Sequence, residues 1–213
     1  MQLFVSPGAC CLGAHVVVKA LHLPVEVVHV PLRTPASPIH RVNPLGRVPA
    51  LRMTDGTTIT ENTAILPFLA DLRADHNLFA PAGSVARARI QAWIGYINSE
   101  IHAAAFRPIN RPERYSNDAA MHDAIRARGR EQLMSALLHV ERQLQRTRWL
   151  SGDRFTIADA YLGVFARWIV PLGAPFDSLK AIDRFRMDYH ALPAVQLALA
   201  DEASMDRKVA APA

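Results

Sequence analysis

The two cysteines of the chain are neighbours, Cys10 and Cys11. Because a disulfide framework needs separated partners and a bond between neighbours would be strained, we expect two free thiols. Cys10 lies between a predicted strand and a predicted helix, where the free N–H groups of the first helical turn favour thiolate over thiol. We therefore interpret Cys10 as a reactive sulfur rather than a small core residue. For Cys11 the two interpretations remain evenly balanced.

Three other sites could bind or transform a ligand. If the Val48-Pro49 bond were cis, the N–H and C=O of Val48 would be free to pair with a peptide-like molecule. Glu61 and Asn62 precede a predicted helix, where backbone N–H groups could hold a carboxylate and Glu61 an ammonium group. From these residues alone, simple helix capping is the preferred interpretation. His102 lies at the edge of an apolar helical stripe, a position more typical of a structural histidine.

Several other classes of site lack their sequence signatures. The nine histidines show neither an HExxH motif nor Cys/His ligand spacing, so no metal site is predicted. The chain contains no GxGxxG, Walker-type or GxSxG motif, and no CxxC. These absences disfavour nucleotide-binding enzymes, serine hydrolases and dithiol oxidoreductases.

The composition is that of an ordinary globular protein, with 213 residues of which 50% are hydrophobic and 20% charged. The net charge is +5, but the arginines alternate with acidic and apolar residues, which is typical of exposed helix faces rather than of a nucleic-acid interface. No apolar run approaches the ~20 residues of a membrane span, and the N-terminus lacks a signal-peptide layout. We expect a cytoplasmic protein that binds neither nucleic acid nor membrane.

The elements that must position these residues follow from hydrophobic periodicity and turn signals. The first part of the chain reads as βαβ, a Pro-rich connection, then ββα, which predicts an α/β fold with a right-handed crossover. Its predicted elements are strands at 3–6, 25–30, 48–53 and 57–60, helices at 11–23 and 63–72, and a short helix at 39–42.

The pattern changes to helices alone after the polar segment 73–84. Thr156 and Asp159 form the sequence of a capping box at the start of one of these helices. The predicted helices are 90–101, 124–144, 155–169 and 193–203, followed by a frayed tail at 204–213. We predict an α/β domain at 1–78, a linker at 79–86 and an all-helical domain at 87–213.

Five segments, taken in order, resemble the glutathione S-transferase superfamily and are most similar to its bacterial beta class. The segments are SPGACCLGAH at 6–15, VNPLGRVPAL at 42–51, TENTAILPFLAD at 60–71, SEIHAAAF at 99–106 and GDRFTIADAY at 152–161. The resemblance covers essentially the whole chain. It implies a thioredoxin-like first domain, a helical-bundle second domain and glutathione as co-substrate.

The resemblance also implies roles for individual residues. Cys10 matches the cysteine that lies beside the glutathione sulfur and can form a mixed disulfide with it, and His102 matches a histidine near that sulfur. The implied glutathione contacts are Val48 with its cis-proline Pro49, Glu61 and Asn62 at the γ-glutamyl end, and Leu32 near the glycine end.

This chain departs from the family pattern at five positions. Cys11 replaces the usual serine, and Asn62 stands where a serine or glycine is more usual. Two lysines that help to hold glutathione are replaced by Pro35 and Ala103, and an asparagine of the first long helix is replaced by Gly95. Three arginines are candidates to supply the missing positive charge: Arg33, Arg107 and Arg111.

The function implied is that of a homodimeric detoxifying transferase. It would join glutathione to a hydrophobic electrophile held by Phe106 and Trp168, or exchange disulfides through Cys10. We expect exchange to be at least as strong as conjugation, because a cysteine is a good nucleophile and a poor donor to another thiolate. The alternative hypothesis is a non-catalytic interaction or regulatory protein that keeps the fold, which the two lost lysines favour.

Overall fold

A four-stranded sheet with two helices precedes a set of packed helices in the computed structural model, which describes the backbone of residues 1–210 and the side chains of 1–205. The strands are β1 (Gln2–Val5), β2 (Glu26–His29), β3 (Ala50–Arg52) and β4 (Thr58–Thr60). The helices are α1 (Leu12–Ala20), α2 (Asn62–Asp71), α3 (Val85–Tyr96), α4 (Arg107–Asn110), α5 (His122–Arg146), α6 (Ile157–Trp168), α7 (Lys180–His190) and α8 (Pro193–Ala210). Short 3-10 turns occupy Pro38–Arg41, Ala74–His76, Pro112–Arg114, Ala119–Met121, Val170–Leu172 and Phe176–Ser178.

The sheet has the strand order β2-β1-β3-β4. β1 runs parallel to β2, with Leu3 opposite Val27, and antiparallel to β3, with Leu3 opposite Leu51. β3 and β4 form the hairpin predicted from the Asp55-Gly56 turn. The predicted fold class, an α/β thioredoxin-like half followed by a helical half, is confirmed.

The two halves meet where α1 packs against α6. A Cβ atom added at Gly13 would lie 3.2 Å from the backbone oxygen of Ala160, so the glycine allows the two backbones to approach closely. Seven consecutive residues of α1, from Leu12 to Val18, are buried between the sheet and the helical half. The helix that follows Cys10 is therefore fixed from both sides.

The first long helix of the second half changes its winding near the middle. α3 continues without a break into a π-helical stretch (Ile97–Phe106) and then into α4. At its end the Arg107 N–H donates to the carbonyl of His102, an i→i−5 hydrogen bond. The predicted helix at 90–101 lies here, but its spacing gave no sign of the wider turns, which are rare and frequently occur at functional sites.

Two predictions about the helical half need correction. α7 was not predicted, because its sequence is strongly charged and its N-terminus has no local cap. Both oxygens of the buried Glu141 on α5 instead accept from the Ala181 and Ile182 N–H groups, at 2.8 and 2.9 Å. The prediction of a frayed tail is also wrong for residues 204–210, since α8 extends to Ala210. The rest of the predicted tail, 211–213, lies outside the described residues.

The segment between the halves contains one short 3-10 turn, Ala74–His76. α2 ends at Asp71 and α3 begins at Val85, so the predicted linker 79–86 overlaps the first two residues of α3. The domain boundaries remain a prediction. Among the helices within residues 1–210, none combines the length and apolar character that a bilayer crossing requires.

The predicted capping box at the start of α6 is formed. Asp159 is fully buried and its carboxylate accepts from the Leu150 N–H, the Thr156 N–H and the Thr156 hydroxyl, at 2.8, 2.8 and 2.7 Å. Burial raises the pKa of this carboxyl to about 6, so it is ionised at neutral pH. The cap therefore fixes both the start of α6 and the preceding turn.

We expect Asp159→Ala to lower the free energy of unfolding by about 3 kcal/mol at neutral pH, because two buried N–H groups lose their acceptor. Thr156→Ala should cost about 1 kcal/mol, as is usual for a lost cap. Urea denaturation followed by circular dichroism measures both. Asp153→Ala is the control, since that exposed side chain should change stability by less than about 0.5 kcal/mol. An Asp159→Ala effect as small as the control's would contradict this role.

Candidate functional site

The two cysteines have different environments. Cys10 is partly exposed and its thiol donates to the carbonyl oxygen of Val48 at 3.4 Å. Cys11 is fully buried, where its sulfur donates to the Ser6 carbonyl at 3.2 Å and accepts from the Ser6 N–H at 3.3 Å. Cys11 is thus a core residue that closes the turn, and Cys10 alone faces the candidate site.

The backbone at the helix start favours the thiolate of Cys10 as expected, but larger effects outweigh it. Burial of the sulfur, and then the charge of Glu61, raise the pKa of Cys10 to about 12. The backbone N–H of Cys10 and the Arg107 guanidinium oppose this shift with smaller effects. Cys10 is consequently a neutral thiol at neutral pH.

The loop before β3 holds Val48 beside this thiol. Asn43 shapes the loop, because its amide donates to the Arg47 carbonyl at 2.9 Å and accepts from the Leu45 N–H at 3.1 Å. Gly46 has φ +64, and a Cβ atom there would lie 2.5 Å from the His40 ring, so the turn requires glycine. The Val48-Pro49 bond is cis, and Val48 precedes the first paired residue of β3. Its peptide group is therefore outside the ladder.

Glu61 and Asn62 lie on the other side of Cys10. The buried Asn62 amide donates to the Cys10 carbonyl at 3.1 Å and thus ties the start of α2 to the cysteine. Glu61 is exposed and has φ +69, a region that costs a residue other than glycine about 1–3 kcal/mol. Such strain is typical of functional positions. Its carboxylate is close enough to act on the pKa of Cys10.

A hydroxyl that the sequence interpretation missed, that of Tyr161, lies near both His102 and Cys10. Burial, and then the charge of Cys10, raise its pKa. The Tyr161 hydroxyl donates to Asn98 Oδ1 at 3.2 Å and lies 3.2 Å from His102 Nδ1. Because that hydroxyl proton is already used, we assign the N–H of His102 to Nδ1, which leaves Nε2 as an acceptor. Burial, with smaller effects of Arg107 and Arg47, lowers the pKa of His102 to about 4. His102 is therefore a neutral imidazole.

Phe106, Phe165 and Trp168 form an aromatic wall beside His102, in which Phe106 and Phe165 are buried and Trp168 is partly exposed. Ring centroids are 5.3 Å apart for Phe106 and Trp168 and 5.1 Å for Phe165 and Trp168, and the His102 ring lies 5.2 Å from Phe165. Trp168 also donates from its indole nitrogen to the Gly8 carbonyl at 3.0 Å, so the wall supports the loop that carries Cys10. The two predicted pocket residues, Phe106 and Trp168, are in contact, while Phe165 was missed.

Leu32 is half-buried in the loop after β2, where it packs against the hydrophobic core. Arg111 pairs with Glu113 at 3.7 Å, and Arg33 is exposed on the same loop as Leu32. Of the three candidate arginines, Arg107 alone is close enough to act on the pKa of Cys10. Among the described residues, no group of three His, Cys, Asp or Glu side chains could hold a metal ion.

Comparison with known proteins gives the same picture for both halves. The family model described as "Glutathione S-transferase, N-terminal domain" matches residues 8–72, and that described as "Glutathione S-transferase, C-terminal domain" matches 123–195. The glutathione S-transferase GstA of Escherichia coli O157:H7 is 35% identical over 206 residues, which are 95% of this chain and 98% of that protein.

Two solved structures are also similar over 95% of this chain. A sphingomonad glutathione S-transferase complexed with glutathione has a TM-score of 0.86 and 31% identity, with 99% of it covered. The bacterial beta-class glutathione S-transferase of Sphingomonas chungbukensis has a TM-score of 0.85 and 30% identity, with 98% covered. The chain belongs to the glutathione S-transferase family.

Proposed function

We propose that the protein is a glutathione transferase that joins glutathione to a hydrophobic electrophile, with the glutathione sulfur beside Cys10. The contact between the Cys10 thiol and the Val48 carbonyl carries this proposal. A tripeptide that pairs its cysteinyl backbone with the free peptide group of Val48 would place its own sulfur next to Cys10. The family relationship supports glutathione as that tripeptide.

The rest of the glutathione site follows from the groups around Cys10. Glu61 would pair with the γ-glutamyl ammonium group, since its exposed carboxylate has no ion pair within the described side chains. The first N–H groups of α2, at Asn62, would donate hydrogen bonds to the γ-glutamyl carboxylate. Pro49 would hold Val48 in place, and Leu32 would lie near the glycine end.

Conjugation requires a glutathione thiolate, and the site can favour one. The Cys10 S–H that donates to Val48 is free to donate to an incoming sulfur instead, because Cys10 keeps its proton at neutral pH. The bound thiolate would attack the electrophilic carbon, so that a C–S bond forms as the leaving group departs with its electron pair. His102 and the aromatic wall, with Phe106 and Trp168, would hold the electrophile. Catalysis would then rest on the positioning of the two substrates and on a lowered pKa of the glutathione thiol.

Thiol–disulfide exchange would be the slower activity at neutral pH. In that reaction the Cys10 thiolate attacks the glutathionyl sulfur of a mixed disulfide, and the other thiolate leaves. A second glutathione thiolate then attacks the Cys10–glutathione disulfide, releasing oxidised glutathione and restoring Cys10. The raised pKa of Cys10 disfavours its thiolate, so we replace the expectation of equal or stronger exchange with dominant conjugation.

We further propose a cytoplasmic homodimer that acts in detoxification, which the family relationship supports. The alternative, a non-catalytic interaction protein, drew on the loss of lysines at Pro35 and Ala103. Arg107 disfavours this alternative, because it supplies a positive charge near Cys10 in place of those lysines.

Isothermal calorimetry should detect glutathione binding at millimolar ligand or below. We expect Glu61→Gln to weaken binding about tenfold or more, because the ammonium group loses a charged partner. Glu113→Gln is the matched control, since that carboxylate is exposed and pairs with Arg111 instead. The absence of binding heat in the unmodified protein would contradict the proposed function and favour the interaction protein.

The rate of Cys10 alkylation by iodoacetamide should rise about tenfold per pH unit from neutral pH to beyond pH 10, because only the thiolate reacts. Burial and Glu61 raise the folded-state pKa, so the curve should level off only near pH 12. Mass spectrometry of the labelled peptide gives the rate, and Cys10→Ser corrects for reaction at the buried Cys11. A plateau below pH 9 would show that the thiol is activated after all.

A further inference from the structure

Two arginines converge on the candidate site from different halves of the protein. Arg107 opens α4 directly after Phe106, and its hydrogen bond to the His102 carbonyl places it one turn from His102. In an α-helix residues five apart would be about 140° apart around the axis, whereas the i→i−5 bond brings them close to one face. Arg47 directly precedes Val48, in the loop fixed by Asn43.

Neither guanidinium group has a carboxylate partner. No ion pair of Arg47 or Arg107 occurs within the side chains that the structure describes, although Arg111 close by pairs with Glu113. Both groups nonetheless help to lower the pKa of His102, after burial as the largest cause. Arg107 also acts on the pKa of Cys10 and of Tyr161. Two guanidinium groups without an ion pair among the described side chains, beside a neutral imidazole, form a site suited to an anion.

The position of this pair relates it to the second substrate. The proposed glutathione contacts, such as Val48 and Glu61, lie in the thioredoxin-like half. Arg107 instead follows Phe106 of the aromatic wall, and the wall borders His102, on whose pKa both guanidinium groups act. A ligand against the partly exposed Trp168 would therefore have an apolar surface beside it and the two guanidinium groups near His102.

We propose that Arg47 and Arg107 bind the acidic group of the second substrate, so that this enzyme favours electrophiles that carry a carboxylate. The proposal rests on the function proposed above. The pair provides charge at positions other than those of the replaced lysines, Pro35 and Ala103. Its chemistry selects an aromatic or other apolar acid whose carboxylate lies within reach of both guanidinium groups.

A matched pair of electrophiles tests this preference, 4-fluoro-3-nitrobenzoate and the neutral 4-fluoro-3-nitrobenzamide. In each, the glutathione thiolate attacks the ring carbon that bears fluorine, the C–S bond forms and fluoride leaves with the bonding pair. The kcat/KM for each is divided by the rate constant of its uncatalysed reaction with glutathione, which removes the difference in intrinsic reactivity. The acid-to-amide ratio of these normalised values measures the preference.

We expect the unmodified enzyme to prefer the acid. Arg107→Gln and Arg47→Gln should each lower the acid-to-amide ratio about tenfold, mainly because the KM for the acid rises. Arg111→Gln, which removes an arginine already paired with Glu113, should leave the ratio unchanged. Because both substrates are measured on one preparation, partial misfolding of a variant cancels in the ratio.

A ratio near one in the unmodified enzyme, or the same ratio in all variants, would overturn the proposal. A second arm compares glutathione with its glycyl ethyl ester. The variants could weaken the binding of glutathione but not of the ester, and leave the acid-to-amide ratio unchanged. In that case the arginines bind the glycine carboxylate of glutathione, and the proposal is also overturned. Failure of the unmodified protein to bind glutathione at all is a distinct outcome, which rejects the proposed function first.

Discussion

The packing of α1 against α6 is the contact on which the rest of the site depends. Cys10 precedes α1 by two residues, so the position of its sulfur follows the position of that helix. α6 supplies the Tyr161 hydroxyl beside His102, and its last residue, Trp168, donates to the Gly8 carbonyl in the cysteine loop. The close approach at Gly13 and the cap at Asp159 fix α6 relative to α1. The position of the Cys10 sulfur therefore depends on the folding of the helical half.

Electrostatics at Cys10 reflects a balance between burial and charge. Burial and Glu61 keep the sulfur protonated, and Arg107 acts in the opposite direction. A ligand ammonium group paired with Glu61 would remove one of the two causes that raise the pKa. The charge proposed to bind glutathione would thus also adjust the pKa of the sulfur beside it. In the proposed mechanism Cys10 would serve first as a hydrogen-bond donor and only secondarily as a nucleophile.

Local patterns were sufficient for most of the fold and for part of the site. The βαβ and ββα units, the hairpin at Asp55-Gly56 and the cap at Asp159 depend on neighbouring residues, and the sequence predicted them. Contacts between distant residues were not predictable. α7 depends on a cap from Glu141 some 40 residues away, the π-helical stretch has no local signature, and the pKa of Cys10 depends on its burial. Tyr161 and Phe165 could have been found, since they lie four residues apart on a predicted helix and so share one face.

A crystal structure with glutathione at neutral pH would show whether the glutathione sulfur lies against Cys10. We expect the cysteinyl backbone of glutathione to pair with the peptide group of Val48. The two sulfur atoms should then lie within about 4.5 Å of each other, the range of a direct non-bonded contact. A bound glutathione whose sulfur points away from Cys10, toward the aromatic wall or into solvent, would contradict the account.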